Sequence, residues 1–414
     1  MKMKMFFLTM LFSFYLVCPI RGQGDGMLFK DGKHLFPIGW YYLPEDAASL
    51  KELSDAGINI ILCNSKEALD RVHAVGIQGW MPVSLQEGVT GEFKKKVQSV
   101  AGHPALAIWE GPDEIVWSFT QASALEMQGS WATQTPERVQ YAREQSAKIM
   151  PNMIEAISYI RSVDPNDLQV WINEAAMSEA FYVRQYLDAI DITGSDSYPI
   201  RAATRRIEEM GFLTERWNEI GKGKPVWMIL QAVSWPELGG KYKDRPAAYP
   251  SFDESRFMAY DVIAHGARGV LYWGANRLTS EDCRQSLYSL TSELDALQLF
   301  LTAPEQEHIS VYTLKDSEPR DQQVAWIARQ YGREWMIALV NETNFFIKSV
   351  VVKGLFNGLK FVELYGEEEV TVVEEEFMTH LKPHEVKVFA TGKKWETSRQ
   401  NARIYPGFPI QESK

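Results

Sequence analysis

The stretch His103–Glu114, HPALAIWEGPDE, decides how this chain is read. From Ala105 to Trp109 it is an apolar run of strand length. It breaks at Gly111-Pro112 and ends in two adjacent carboxylates, Asp113 and Glu114. A run that is apolar throughout, rather than alternating, marks a strand covered on both faces. A carboxylate at the end of such a strand must be solvated, paired or used.

The same construction recurs on either side. Ahead of it stand LFPIGWYYLP from Leu35, GINIILCN from Gly57 and GIQGWMPVS from Gly76. After it come LQVWINEAA from Leu168, AIDITGSDSYP from Ala189, KPVWMILQAV from Lys224 and ARGVLYWGAN from Ala267. Amphipathic stretches such as EDAASLKELSDAG, SKEALDRVHAVG and DESRFMAYDVIAHGA separate them. Apolar strands alternating with helices imply a parallel sheet buried on both faces. Eight such units imply an α/β fold closed into a (β/α)₈ TIM barrel. A doubly wound open sheet is the alternative, but no glycine-rich phosphate loop follows the first strand.

The rhythm changes further on. From about His308 to Ala390 the chain reads as short strands divided by turn residues: ISVYTL, QVAWIARQ, EWMIALVN, IKSVVVKG, KFVELYG, EVTVVEEEF and EVKVFAT. This predicts a smaller all-β sandwich, with the acidic run GEEEVTVVEEE as a solvated strand edge. Trp326 and Trp335 lie in alternating patterns and are expected to be buried, so the sandwich is read as mainly structural. Before the barrel, MLFKDGKHLFPIG alternates around Asp31-Gly32, a hairpin signal. The expected division is a signal peptide over 1–23, the barrel over 24–304, the sandwich over 305–392 and a loosely packed polar tail over 393–414.

Lys2 and Lys4 precede an apolar run from Met5 to Ile20, the pattern of an export signal cleaved near Gly22 or Gln23. The protein is therefore expected to be secreted or periplasmic. Lipid attachment at Cys18 is the less favoured alternative, because Val17 suits such a site poorly. Nothing later in the chain reads as a membrane span. Cys63 and Cys283 are then the remaining cysteines, too few for a disulfide framework and outside any metal-ligand spacing. No catalytic metal and no cofactor are expected, since His34, His73, His103 and His265 lie apart. The formal net charge of -11, with no basic stretch interleaved with aromatics, excludes nucleic acid as the main partner.

In a barrel of this kind the chemistry gathers at the C-terminal ends of the strands. In strand order those ends offer Trp40, Tyr41 and Tyr42; Asn64; Trp80 and Ser84; Glu110, Asp113 and Glu114; Asn173 and Glu174; Asp196 and Tyr198; Gln231, with Trp235 and Glu237 beyond; and Trp273 and Asn276. Polar strand ends meeting water explain a few of these acids. They explain less well why acids and aromatics converge on one rim. That combination is what sugar chemistry needs. Pyranose faces stack on aromatic rings, and glycosidic cleavage uses one carboxylic acid to protonate the leaving oxygen and a second carboxylate opposite it. The acid needs a raised pKa, which an apolar aromatic pocket supplies by desolvation. The expected partner is a carbohydrate.

HPALAIWEGPDE resembles the fourth-strand segment of clan A glycoside hydrolases. The resemblance implies that Glu114 is the general acid/base and that Asp113 contacts a substrate hydroxyl. GVLYWG is similar to the clan's eighth strand, whose aromatic floors the sugar pocket, a place that falls on Trp273. FPIGWYY and GSDSYP also resemble secreted bacterial members, and a barrel followed by a β-sandwich is common in the clan. One departure stands out. The clan's nucleophile is a Glu at the end of strand seven, where this chain carries Gln231. An amide is neither nucleophile nor base. The second carboxylate is expected to be Asp196, ahead of Glu174 and Glu237. Trp40, Tyr41, Asn64, Trp80, Glu174, Tyr198, Gln231, Trp235 and Trp273 are expected to line the substrate cleft. The alternative is a carbohydrate-binding protein on a hydrolase-like barrel that has lost its nucleophile.

Overall fold

The computed structural model describes residues 25–120, 135–315, 318–320 and 324–398. The expected export signal, Cys18 and the end of the tail lie outside these residues. Two antiparallel strands, β1 (Leu28–Lys30) and β2 (Lys33–Leu35), open the fold as the expected hairpin. Its two-residue turn holds Asp31 at φ 50° and Gly32 at φ 78°, the positive values that a tight hairpin turn demands. Leu28 plugs the base of the barrel, and the Trp227 indole donates to the Gly26 carbonyl there at 2.8 Å.

The eight parallel strands that follow form a closed barrel. They are β3 (Ile38–Trp40), β4 (Ile60–Leu62), β5 (Gln78–Pro82), β6 (Leu106–Glu110), β7 (Gln169–Ala175), β8 (Ile192–Asp196), β9 (Val226–Gln231) and β10 (Gly269–Trp273). Each coincides with one of the apolar runs. The intervening helices begin at side-chain caps: Asp46 accepts from Ser49 N, Ser65 from Ala68 N and Thr90 from Phe93 N, while Ser251 and Glu254 form a reciprocal capping box.

Successive residues of a strand face opposite sides, so every barrel strand serves two cores. Val170, Ile172, Met228 and Leu230 point outward to the helices. Trp80, Trp171, Trp227, Ile229 and Leu271 point inward. The lumen is filled by indoles in contact. Trp80 meets Trp171 edge-on at 6.2 Å between ring centres, and Trp171 meets Trp227 at 5.2 Å. Room for these rings comes from glycines opposite them. A Cβ on Gly194 would lie 2.7 Å from the Trp171 ring, and one on Gly269 would lie 2.8 Å from the Trp227 ring. This aromatic plug floors the mouth of the barrel.

The C-terminal domain is a sandwich of two antiparallel sheets. One holds β11 (Ser310–Lys315), β12 (Glu318–Arg320), β15 (Ile347–Lys353) and β18 (Glu376–Leu381). The other holds β13 (Val324–Tyr331), β14 (Glu334–Asn341), β16 (Lys360–Glu363), β17 (Glu369–Thr371) and β19 (Val386–Ala390). Val324, Ile337, Leu339 and Phe389 face the partner sheet, while Ile327, Met336, Ala338 and Val388 pack on the barrel's helical layer. Trp335 is buried and Trp326 is half-buried. The acidic run is not one strand edge. Glu374 and Glu375 adopt φ 53° and 65° and turn the chain between β17 and β18. The first residues of the tail are not loose either, because Trp395 packs on Phe300 at 4.7 Å and Glu396 accepts from Tyr365 N at 2.8 Å. Among the described residues no helix is long and apolar enough to cross a membrane.

Candidate active site

The acid pair that ends β6 is placed by backbone, not by side-chain preference. Gly111 N donates to Trp171 O at 2.8 Å and Glu114 N donates to Asn173 O at 3.0 Å. Pro112 lies between these anchors, so the strand cannot continue and the chain bends over the tip of β7. Glu114 is held at φ 48°, in the left-handed region that a branched or long side chain occupies only when its surroundings impose it. Asn173 completes the clamp by donating from Nδ2 to the Asp113 carboxylate at 2.8 Å.

This turn brings Glu114 against Asp196 at the end of β8. The two carboxyls feel each other's charge directly, and the Tyr198 hydroxyl lies beside Asp196 as well. Burial, followed by the charge of Glu114, pushes the Asp196 carboxyl well above the usual range. Burial, followed by the charge of Asp113, raises Glu114. Asp113 is raised by its surroundings against the bond from Asn173. Glu110 lies one layer deeper, accepts from the Trp80 indole at 2.9 Å, and is also raised by burial and by Asp113. Four carboxyls thus gather around Tyr41, and none of them has a cation within salt-bridge distance among the described ion pairs. Buried polar atoms without a protein partner ring the same space: Tyr41 Oη, Glu110 Oε1, Asn173 Oδ1 and Asp196 Oδ1. A buried polar atom left alone is costly, so this set matches a polar guest carrying several hydroxyls.

Aromatic rings form one wall. Tyr198 stacks on Trp273 at 4.9 Å with an interplanar angle of 22°. Trp235 meets Tyr198 edge-on at 6.3 Å, and its indole donates to Tyr198 O at 3.2 Å. Tyr41 stands edge-on over Trp80 at 5.0 Å, and Asn64 is exposed at the rim of β4.

Several expected lining residues are elsewhere. Trp40 is 2% exposed and packs outward on Tyr272 and Tyr288, because it precedes the inward-facing Tyr41 by one position. Glu174 also faces outward. It accepts from Val116 N and Trp117 N, from Ser178 Oγ and from Tyr186 Oη, and so anchors the helix Ile115–Thr120. Burial still lifts it to about 7. Trp80 is fully buried beneath the cleft, where it holds Glu110 in place of stacking on a sugar. Gln231 faces inward but has no free amide atom. Its Oε1 accepts from Ile200 N, and its Nε2 donates to Ile200 O and Val233 O, at 2.8–2.9 Å. It pins the loop after β8 against β9. Glu237 is equally engaged, with Ser234 N, Tyr249 Oη and Thr279. Asn173 and Glu110, offered by the sequence at strand ends but left out of the expected cleft lining, belong to the group at the acids. Strand alternation carried the signal, since an inward Trp171 makes Asn173 inward and Glu174 outward.

The described residues bring one possible metal-donor set together, Asp261, His265 and Glu342, with ligand atoms within 4.8 Å. Glu342 comes from the sandwich, so helix spacing could not show this group. Most of its atoms are engaged with protein partners: His265 bonds to Glu215 and Glu342 at 2.9 Å each, and Asp261 Oδ2 accepts from Gly211 N at 2.7 Å. It is an ionic clamp between the two domains. Both free cysteines are buried, and burial pushes each thiol up to about 12, away from reactivity. A hollow of about 710 Å³ opens at the opposite end of the barrel beside Asp167, Asp188, Asp191 and Lys222, away from the strand-end acids.

No protein-family model and no curated protein matches this chain. Solved structures do. A β-galactosidase from Bacillus circulans sp. alkalophilus is 8% identical with a TM-score of 0.55, covering 86% of this chain and 99% of that one. An α-amylase from Geobacillus thermoleovorans is 10% identical with a TM-score of 0.51, covering 89% of this chain and 99% of that one. The chain shares the (β/α)₈ barrel fold of these structures. A β-galactosidase from the psychrophilic Marinomonas ef1 is 13% identical at a TM-score of 0.47, and this chain, matched over 63% of its own length, spans 60% of that protein.

Proposed function

We propose that this protein is a glycoside hydrolase acting on an extracytoplasmic carbohydrate, with Glu114 and Asp196 as one acid–base pair. The observation that carries the reading is the juxtaposition of these two carboxyls, both raised by burial and facing each other's charge, beside buried polar atoms without partners. Two acids this close cannot both ionise, so they hold one proton between them. Asp196, fixed at its strand end and more deeply buried, keeps that proton, and Glu114 is the carboxylate that accepts it. Proton transfer to a leaving oxygen and activation of water both need such a poised group.

Flanking acids stand about 5–5.5 Å apart in retaining enzymes and 6.5–9.5 Å apart in inverting ones. The separation this pair takes up around a bound substrate decides between those two outcomes. The clan's strand-seven nucleophile has no counterpart, so the second carboxylate comes from β8. Barrel neighbours that include β-galactosidase and α-amylase support a carbohydrate substrate by analogy of fold. Lys2, Lys4 and the apolar run to Ile20 support export.

One observation favours a second reading. Gln231 is locked by three hydrogen bonds in the nucleophile's place, as expected of a barrel that binds glycans without cleaving them. Kinetics on natural glycans and activated aryl glycosides separate the two. Glu114→Gln and Asp196→Asn should each lose on the order of 10²–10⁴ in kcat/KM, and the loss of the proton-donating member should be smaller on aryl glycosides whose leaving group needs no proton. A parent that binds sugar in the cleft and cleaves nothing establishes the binding reading. An active parent matched by Glu114→Gln removes this assignment.

A further inference from the structure

We propose that the outer cleft, where Arg201 lies over Trp235 beside Tyr242, Lys241 and Arg245, holds a negatively charged sugar, and that the natural substrate is an anionic glycan. This deepens the hydrolase reading and rests on its placement of the glycan at the barrel mouth.

The aromatic wall does not end at the acids. From Asp196 it runs through Tyr198 to Trp235, and from Trp235 to Tyr242, whose ring centre lies 4.8 Å away. Over this outer part stand cations. The Arg201 guanidinium is 4.2 Å from the Trp235 ring centre, Arg245 is 5.0 Å from that of Tyr242, and Lys241 is 5.2 Å from it. All three cations are exposed, while Trp235 and Tyr242 are half-buried. They belong to the loops after β8 and β9, on the face that carries the acid pair.

The neighbouring arginines show that this arrangement is not the local default. Arg205 is paired with Glu254, and Arg206 with Glu209 at 2.7 Å. Arg201, in the same turn, takes part in none of the described ion pairs and lies on an indole instead. Stacking occupies the face of the guanidinium and leaves its in-plane N–H donors free. That fork fits a carboxylate or sulfate in two-pronged fashion. Resting on an aromatic ring also removes much of the rotamer freedom that such a contact would otherwise cost. In a chain of net charge -11, these cations supply positive charge beside the mouth that an anion can seek out. The acid pair deeper in the cleft shares one proton, so it repels an anionic neighbour less than two free carboxylates would. A uronate carboxylate and a sulfate ester share the required chemistry.

The test is binding by calorimetry of three hexasaccharides to the full chain: oligogalacturonate, a sulfated galactose oligomer and a neutral galactose oligomer. At least one anionic hexamer should bind ~10-fold or more tightly than the neutral one, with the advantage shrinking as salt rises. Arg201→Gln should cut that advantage to within ~3-fold and leave the neutral hexamer unchanged, as expected for loss of one charge-assisted contact. Arg201→Lys should keep part of it, and Arg206→Gln should change nothing. Which anion gains identifies uronate or sulfate. Equal affinity for all three, no binding to any, or an anion preference that survives Arg201→Gln overturns the proposal. Cleavage is recorded separately. Anion binding that depends on Arg201 without any hydrolysis sinks the hydrolase reading and leaves this one, whereas hydrolysis of neutral glycans without anion preference does the reverse.

Discussion

Glu293 and Asp196 are both shut away from solvent, at 0% and 8% exposure, yet they live in opposite company. Glu293 lies where the helix Phe252–Ala264 meets the next helix and the sandwich. It accepts from Arg256 Nε and from Tyr260 Oη at 2.8 Å each, and Arg256 goes on to donate to Val386 O. Glu368 in the sandwich is similarly held by Lys387 at 2.6 Å and by Thr379. Asp196 instead faces Glu114, with Asp113 and Glu110 beyond, and keeps an unpartnered oxygen. A buried acid next to a cation is part of the framework. Buried acids next to one another are strained in the absence of a guest, and such strain persists where function requires it. The difference lies in the partner, since burial is the same.

The comparison can be broken most directly at the acid pair. Asp196→Asn should abolish most activity, the loss of 10²–10⁴ equalling about 3–5 kcal/mol of transition-state stabilisation, while the melting temperature holds or rises because a neutral amide replaces a buried ionisable group among other acids. Activity and thermal unfolding on one preparation check both. Glu293→Gln should do the opposite. Removing one partner of a buried ion pair costs about 3–5 kcal/mol of stability, and kcat per folded molecule should stay at the parent's level. If Glu293→Gln instead spares stability and lowers kcat, the division between framework acids and working acids is wrong.

Gln231→Glu sharpens the same contrast by restoring the acid expected at strand seven. A carboxylate there would face the Ile200 and Val233 carbonyls that the amide now serves as donor. It should lose about 1–3 kcal/mol of stability and raise no activity, as urea unfolding and rate assays together would reveal. A gain in hydrolysis would mean that the position retains the clan's geometry. The smallest effect belongs to the interdomain clamp. Its surrounding acids Glu342, Asp261 and Glu215 outweigh burial and raise His265 from 6.5 to about 9. Because the folded value is the higher one, this contribution is complete below pH 6.5 and is lost as pH rises through about 9. Burial lifts Asp261 to about 8, which acts in the same direction. Between pH 6.5 and pH 9 the parent's melting temperature should fall by ~2 °C more than that of His265→Gln.

Sequence alone determined the barrel, because its eight strands are buried on both faces and therefore stand out as continuous apolar runs between capped, amphipathic helices. The hairpin at Asp31-Gly32 and the change to sandwich strands were equally legible, since turn chemistry and alternation are local. So was the position of Asp113 and Glu114 at the mouth, which Gly111 and Pro112 enforce within the stretch itself. Tertiary structure decided which strand-end residues share a cavity. Facing follows from register, and a slip of one position exchanges Trp40 for Tyr41 and Glu174 for Asn173. It also decided what each polar group does, because Gln231, Glu237 and Glu174 differ from Asp196 only in the donors that distant loops bring to them. Protonation is a property of such company, and only the folded chain assembles it.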